Sequence, residues 1–446
     1  MASDTASSEH RNSGTAKGAS GSRSIRAVRR RLSCGADLKF VCSVLLATMS
    51  IYVFTTITYQ LYPIALPINR VWGLFVAIEL ILITLNTLKR VDVVFLCMLS
   101  ASAILSFSHS GDPMQSFNDA VYWFVTSLML WKIADKEVLA AMRLALGAHK
   151  KKIFLFSSFC VAVIGASFAL PSSYDAGWGG DGAFVGLAGG SHMMASGTCL
   201  VFAFVLAGLK KKPFRASHLL LVLIPTIAIL ATGARIFLVP LAVIFFIYAR
   251  GLVLSPTAKR ALVACLFLAF LGIALGSNSV SKFSTMLSAY SIQGYTPIDY
   301  LTSGRTVFWV LDANAFFHFD ALQKMIGHGF DFVYELNFQG FGMRIWAHND
   351  YLDILLGAGI FGVAVYLAAN LRIVSLVRRS LPGDGFLQML FIAYAFVPAF
   401  FNGLFTYQHL LYSFIVLIIA YCRPREDENS LSKRSGRIGV SSKEGF

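Results

Sequence analysis

The stretch AHNDYLDILLGAGIFG, Ala347 to Gly362, places an imidazole, an amide and two carboxylates directly before an apolar run. A neutral imidazole at His348 can accept a proton from a hydroxyl near pH 7, as attack by a sugar alcohol requires. Asn349 and Asp350 are helix N-cap residue types. A capped helix start presents unpaired N–H groups and partial positive charge, which suits a phosphate. Asp353 stands one turn further in. Gly357, Gly359 and Gly362 have the small-residue spacing of closely packed membrane helices.

Two arginines extend the candidate set. Arg235, in ATGARIF, occupies a tight turn between apolar runs, where a charge is costly unless it snorkels or pairs. Arg305, in SGRTVFW, starts a helical pattern in the longest polar loop. Facing one compartment, the two could hold a pyrophosphate through bidentate hydrogen bonds. His192 in GGSHMMASG, His328 in GHGF and Arg344 are further polar groups on the same side, each with a simpler reading as a structural residue. Glu79 lies well inside an apolar run, with no partner that the sequence names. No His-x3-His or paired-carboxylate spacing marks a metal site, and the seven cysteines contain no CxxC. With no Walker or GxGxxG motif either, no cofactor is expected.

These residues need a scaffold, and composition specifies its kind. The chain has 446 residues, 56% of them hydrophobic, more than a soluble core of this size can hide. Apolar runs of about 14–20 residues lie near 40–59, 71–88, 92–108, 119–133, 153–170, 193–209, 219–232, 236–248, 261–277, 350–369, 386–405 and 407–421. The expected fold class is an all-α polytopic membrane protein of about 12 transmembrane helices, with one large late outer loop containing short helices. That loop has about 70 residues, 278–347. Within it, Phe308, Leu311 and Ala315 recur at helical spacing, and Gly327-His328-Gly329 ends the pattern.

The formal charge of +15 is concentrated in alternate loops: Lys89–Arg90, Lys132–Lys152, Lys210–Arg215, Arg250–Arg260, Arg372–Arg379 and the tail from Arg423. By the positive-inside rule these loops and both termini are cytoplasmic, and the charge sets topology instead of marking nucleic-acid binding. The other loops hold Arg70, Asp112 with Asp119, Asp175 with Asp181, and Arg235. Residues 1–36, rich in Ser, Gly, Ala and Arg, are expected to form a disordered basic tail. The remaining divisions are a membrane domain of about nine spans over 37–277, the loop 278–347, three last spans over 348–422, and a tail 423–446. Segment 135–152 is amphipathic and basic, and reads either as a helix on the inner leaflet or as an ordinary loop.

The order of these features, with a TGxR turn, a late outer loop carrying SGRxxxW and GHG, and His348-Asn349 followed after nine residues by Gly359-Ile-Phe-Gly362, resembles the bacterial O-antigen ligase and polymerase superfamily. The resemblance covers residues 190–370, and elsewhere the topology alone. It implies transfer of an oligosaccharide or polysaccharide from an undecaprenyl pyrophosphate carrier to an acceptor, at the periplasmic face of the inner membrane, without metal or nucleotide sugar. By that resemblance His348 activates the acceptor hydroxyl, and Arg235 and Arg305 bind the pyrophosphate, whose charge grows in the transition state. Asn349, Asp350, Asp353, Arg344, His328 and His192 are then the candidate contacts to acceptor or donor. Gly357 stands where relatives often carry Glu, and Asp353 is a carboxylate that could replace it. The stretch around His192 lacks the arginine and asparagine of many relatives. The partners implied are the lipid-linked glycan donor, a glycan or lipid A–core acceptor, membrane lipids and a chain-length regulator protein.

Three acceptors are compatible with this chemistry: another lipid-linked repeat unit, lipid A–core, or a protein. Polymerisation of O-antigen or exopolysaccharide repeats is the preferred reading. A twelve-span transporter or flippase predicts two related halves about a central cytoplasmic loop, whereas the large loop here is late and outside. A non-catalytic assembly partner would leave the outer Arg and His set unexplained.

Overall fold

The apolar runs fold as helices because backbone amides withdrawn from water must find partners within the chain. The structure, a computed structural model, describes residues 17–62, 68–175, 182–210, 216–251, 302 and 304–422. The helices are α1 (Lys17–Ile57), α2 (Ile68–Asn86), α3 (Arg90–Phe107), α4 (Pro113–Ile133), α5 (Lys136–Ser167), α6 (Ser191–Leu209) and α7 (Ala216–Ala231). They continue as α8 (Leu238–Gly251), α9 (Arg305–His318), α10 (Ala321–Ile326), α11 (Phe332–Phe341), α12 (Asp350–Ser380), α13 (Gly385–Phe401) and α14 (Gln408–Tyr421). A two-stranded antiparallel ribbon, β1 (Tyr174–Asp175) with β2 (Ala183–Phe184), lies between α5 and α6.

Among the described residues, four helices are long and apolar enough to cross a membrane: residues 37–57 of α1, then α3, α6 and α12. Shorter apolar helices make up α7, α13, α14 and most of α2 and α8. Every apolar run named above coincides with a helix except 261–277, which lies outside the described residues. The long loop 278–347 is likewise described only at 302 and from 304 onward, where it forms α9, α10 and α11.

Three expectations need correction. The tail does not stay irregular to residue 36: α1 runs back to Lys17, while 1–16 lie outside the described residues. No proline interrupts 17–57, so the helix can extend through the basic stretch. Segment 135–152 is neither a separate surface helix nor a loop, but the first half of the 32-residue α5. Asp135 caps it, accepting from Glu137 N. Its basic residues reach helix C-termini, Arg143 donating to Ile419 O at 3.2 Å and Lys150 to Lys210 O at 2.9 Å. Third, α12 is not regular through its glycines: Gly359 takes φ +68°, ψ −169° and breaks the helix internally.

The core centres on α6 and α14, buried along almost their whole lengths and packed on each other. Around them lie α1, α5, α7 and α8, while α3 and α4 pack on α12. Glu79, left without a partner by the sequence, accepts from Thr48 Oγ1 of α1 at 2.5 Å. At one end of the bundle, buried Lys132 meets Asp92 at 3.0 Å and Asp135 at 3.5 Å, and Lys89 meets Asp135 at 2.6 Å. Arg372 of α12 stacks on Trp131 at 4.1 Å, and Trp131 Nε1 donates to Asp92 at 2.8 Å. Buried charges are tolerated only when paired in this way, so the network pins α3, α4, α5 and α12 together.

Candidate functional site

The other end of the bundle gathers most of the candidate residues. His348 has φ +56°, the only positive φ of a non-glycine among the described residues. A left-handed backbone costs a β-carbon-bearing residue energy, and persists where its surroundings over-determine it. Here four hydrogen bonds do so. Trp309 Nε1 donates to Ala347 O at 2.8 Å, and Ala347 N donates to Asp353 Oδ1 at 2.9 Å. On the other side Asn349 Oδ1 accepts from Tyr351 N at 3.0 Å and Leu352 N at 3.2 Å, capping α12. The sequence offered Asn349 and Asp353 as substrate contacts; both are buried and hold the His348 turn.

Asp350 is fully buried too. Its Oδ2 accepts from Tyr366 Oη at 3.0 Å, Leu404 N at 2.8 Å and Phe405 N at 3.3 Å. These bonds fix the turn between α13 and α14, where Gly403 takes φ +144°. That turn presents Asn402, a residue the sequence reading did not single out. Trp346 Nε1 donates to Asn402 O at 3.3 Å, Arg305 Nη2 to Asn402 Oδ1 at 3.3 Å, and His348 Nδ1 lies 3.2 Å from the same Oδ1. Arg305 also donates to Phe401 O, a cation at the C-terminus of α13.

This geometry sets the state of His348. A guanidinium only donates, so the Asn402 atom facing Arg305 is the oxygen. The same oxygen faces His348 Nδ1, which must therefore carry the proton, and Nε2 keeps the lone pair. Burial pushes the imidazole down to about 3, with Arg305 and His192 adding to the fall and Asn402 opposing it. The ring is thus neutral at physiological pH. It lies 4.5 Å from the Trp346 ring, centroid to centroid.

Arg235 and His192 join the cluster from the membrane helices. The turn before α8 is shaped by Gly233 at φ +64° and by Ala234 N donating to Thr232 Oγ1 at 3.3 Å. Buried Phe237 anchors it, its ring 5.9 Å from those of both His192 and Tyr407. His192, at the start of α6, stacks on Tyr407 at 5.8 Å. Arg305 feels Arg235 directly: burial lowers its pKa, and Arg235 pushes the same way against an opposing effect of Tyr407. Arg235, Arg305, His348, His192 and Tyr407 are all half-buried, so each keeps part of its surface accessible. Two guanidinium groups held together beside a neutral imidazole favour an anion next to a hydroxyl.

The remaining candidates lie elsewhere. Arg344 is exposed, 4.0 Å from Asp112 and 3.9 Å from Glu335. His328 packs its ring on Phe332 at 4.4 Å and Phe319 at 5.6 Å, and its backbone N–H donates to Leu356 O at 2.8 Å. The glycines do more than let helices approach. The Gly327–Gly329 loop docks into the break in α12: a Cβ on Gly327 would meet Gly357 O at 2.2 Å, and one on Gly359 would meet Met325 O at 2.4 Å. A Cβ on Gly357 would meet the Phe330 ring at 2.7 Å, so Glu cannot stand there in this packing. Of Gly357, Gly359 and Gly362, the last sits at a helix crossing, its Cβ position 3.3 Å from Ser102 Oγ of α3. Compared with protein-family models and with curated protein sequences, the chain matches none of them.

Proposed function

We propose that the chain is a twelve-span inner-membrane glycan transferase of the O-antigen ligase and polymerase type. It moves a glycan from undecaprenyl pyrophosphate to an acceptor hydroxyl at the periplasmic face, with both termini in the cytoplasm. Polymerisation of repeat units is the preferred acceptor chemistry. The observation that carries the reading is the meeting of His348, Arg305 and Arg235 at one end of the bundle, from three separate segments. Its support in topology is that the paired basic residues Lys89, Lys132 and Arg372 occupy the opposite end.

In this reading the acceptor O–H donates to His348 Nε2 while its oxygen attacks the anomeric carbon. The bond from that carbon to the pyrophosphate oxygen breaks, and the electron pair leaves with the pyrophosphate. Arg235 and Arg305 stabilise the charge that grows on the leaving oxygen. The proton held by His348 then passes to the released pyrophosphate, which restores the neutral ring. An imidazole at about 3 is a weak base in the empty protein. A bound pyrophosphate offsets the field of Arg305, and so removes the part of the depression that Arg305 adds to burial.

The test is His348→Ala in cells lacking the native gene, scoring surface-polysaccharide length beside the lipid-linked repeat pool. Single repeats capped onto the acceptor, without long polymer, identify a polymerase. Lipid-linked polymer without capped glycan identifies a ligase. Normal polymer from well-expressed variant overturns the catalytic role.

A further inference from the structure

Helix α10 is amphipathic the wrong way round for an aqueous loop. Its outward residues are Ala321, Leu322 (58% exposed) and Met325 (49%), while Gln323 and Lys324 are half-buried. Gln323 reaches back to close a capping box with Asp320, its backbone N–H donating to Asp320 Oδ1 at 2.8 Å and its Oε1 accepting from Asp320 N at 3.2 Å. Phe317, at the end of α9 just before, is 70% exposed. An apolar face turned outward needs an apolar neighbour.

The register of α3 on α12 says where that face lies. Gly362 is opposite Ser102, and Arg372 Nη1 lies 3.7 Å from Asp92 Oδ1. The two helices are therefore antiparallel and in step, 92 with 372 and 102 with 362. Just past the end of α3, the His109 ring lies 6.1 Å from the ring of His328, in the loop that follows α10. At that level Gly329 N donates to Gly357 O at 3.1 Å, and Met325 abuts Gly359. Helix α10 thus packs on α3 and α12 at the height where α3 ends. The neighbouring turns carry Ile104 (68% exposed) and Ile360 (46%) outward, so the apolar belt is continuous from the spans to α10. The first two turns of α12, about 10–12 Å at 1.5 Å per residue, stand above this level.

We infer that α10 is an interfacial helix whose Leu322–Met325 face lies in the outer-leaflet acyl region, anchoring the α9–α11 lobe to the bilayer. The inference rests on the membrane reading above, and not on the glycan chemistry. Its occupant is membrane lipid, argued from continuity with the lipid-facing belt. The anchor holds α9, and with it Arg305, at a constant height over the end of the bundle.

The full chain in nanodiscs of phosphatidylethanolamine and phosphatidylglycerol tests this. Bimane is attached after Leu322→Cys or Met325→Cys, with Ile104→Cys as a span control and Gln339→Cys as an aqueous control, the unsubstituted chain giving the native-cysteine background. Brominated lipid is expected to quench bimane at 322 and 325 as at 104, with iodide quenching several-fold below that at 339. Iodide quenching at 322 and 325 equal to that at 339 overturns the inference. Protection from both quenchers also overturns it, because a protein surface then covers the face. Iodide quenching at 104 as well removes the membrane reading itself.

Discussion

Replacing Asn402 with alanine separates a catalytic arrangement from a merely folded one. Its Oδ1 receives His348 Nδ1 at 3.2 Å and Arg305 Nη2 at 3.3 Å. Alanine leaves the half-buried imidazole N–H without its acceptor and frees the ring to take the other tautomer, which points a proton at the acceptor hydroxyl. An unsatisfied polar group of this kind costs about 1–3 kcal/mol. At about 1.4 kcal/mol per decade, transfer should slow by roughly tenfold to a hundredfold. The loss should fall on kcat, because Arg305 keeps its bond to Phe401 O and still meets the donor. Asn402→Asp retains both hydrogen bonds but sets a carboxylate against Arg305. It is expected to raise the donor KM and to raise the His348 pKa together. The assay is the initial rate of glycan transfer by purified protein, against donor concentration. Unchanged kcat in Asn402→Ala, or a loss confined to KM, would refute the reasoning.

Other outcomes follow from the same geometry. Arg235→Lys keeps the charge but is expected to lose most transfer activity, because an ammonium cannot make the bidentate contact; full activity removes that argument. Gly327→Ala puts a methyl 2.2 Å from Gly357 O at φ +82°, and is expected to lower the unfolding temperature in detergent well beyond an ordinary surface change. With His348 at about 3 in the empty protein, kcat/KM for the donor should show no acid limb from this group between pH 8 and 5, and a limb near 6.5 would contradict it. The sign for stability follows: the unfolded imidazole binds its proton near 6.5 and the folded one only near 3. Stability from this group therefore falls as pH drops through that window, and His348→Gln should flatten the slope in a denaturation series.

What could be read from the sequence depended on whether residue type alone carries the meaning. Arg235, Arg305 and His348 are polar groups beside apolar runs, and charge beside hydrocarbon is conspicuous in any register. Helices at the described apolar runs follow from the same contrast. Asn402 was not legible, since an asparagine after a helix reads as an ordinary C-terminal residue. Its meaning comes from Asp350, 52 positions earlier, through bonds to Leu404 N and Phe405 N. Asp350 and Asp353 looked like chemistry because carboxylates at a helix start face water in most proteins; here both are buried, and one oxygen of each accepts from backbone amides that fix the turns. Gly359 read as a packing glycine because nothing local distinguishes that from a break, which only the docking of Gly327 reveals. The length of α5 was misread for a related reason: charges at Lys150–Lys152 end a hydropathy run without ending a helix.

The most direct measurement of the central claim is transfer by the purified full chain in nanodiscs. The reaction supplies an undecaprenyl pyrophosphate-linked repeat unit and an acceptor glycan, and follows free undecaprenyl pyrophosphate and extended glycan together. The two products are expected in equal amounts from the native chain, and neither from His348→Ala that still binds the donor. Extended glycan formed at the native rate by His348→Ala would contradict it.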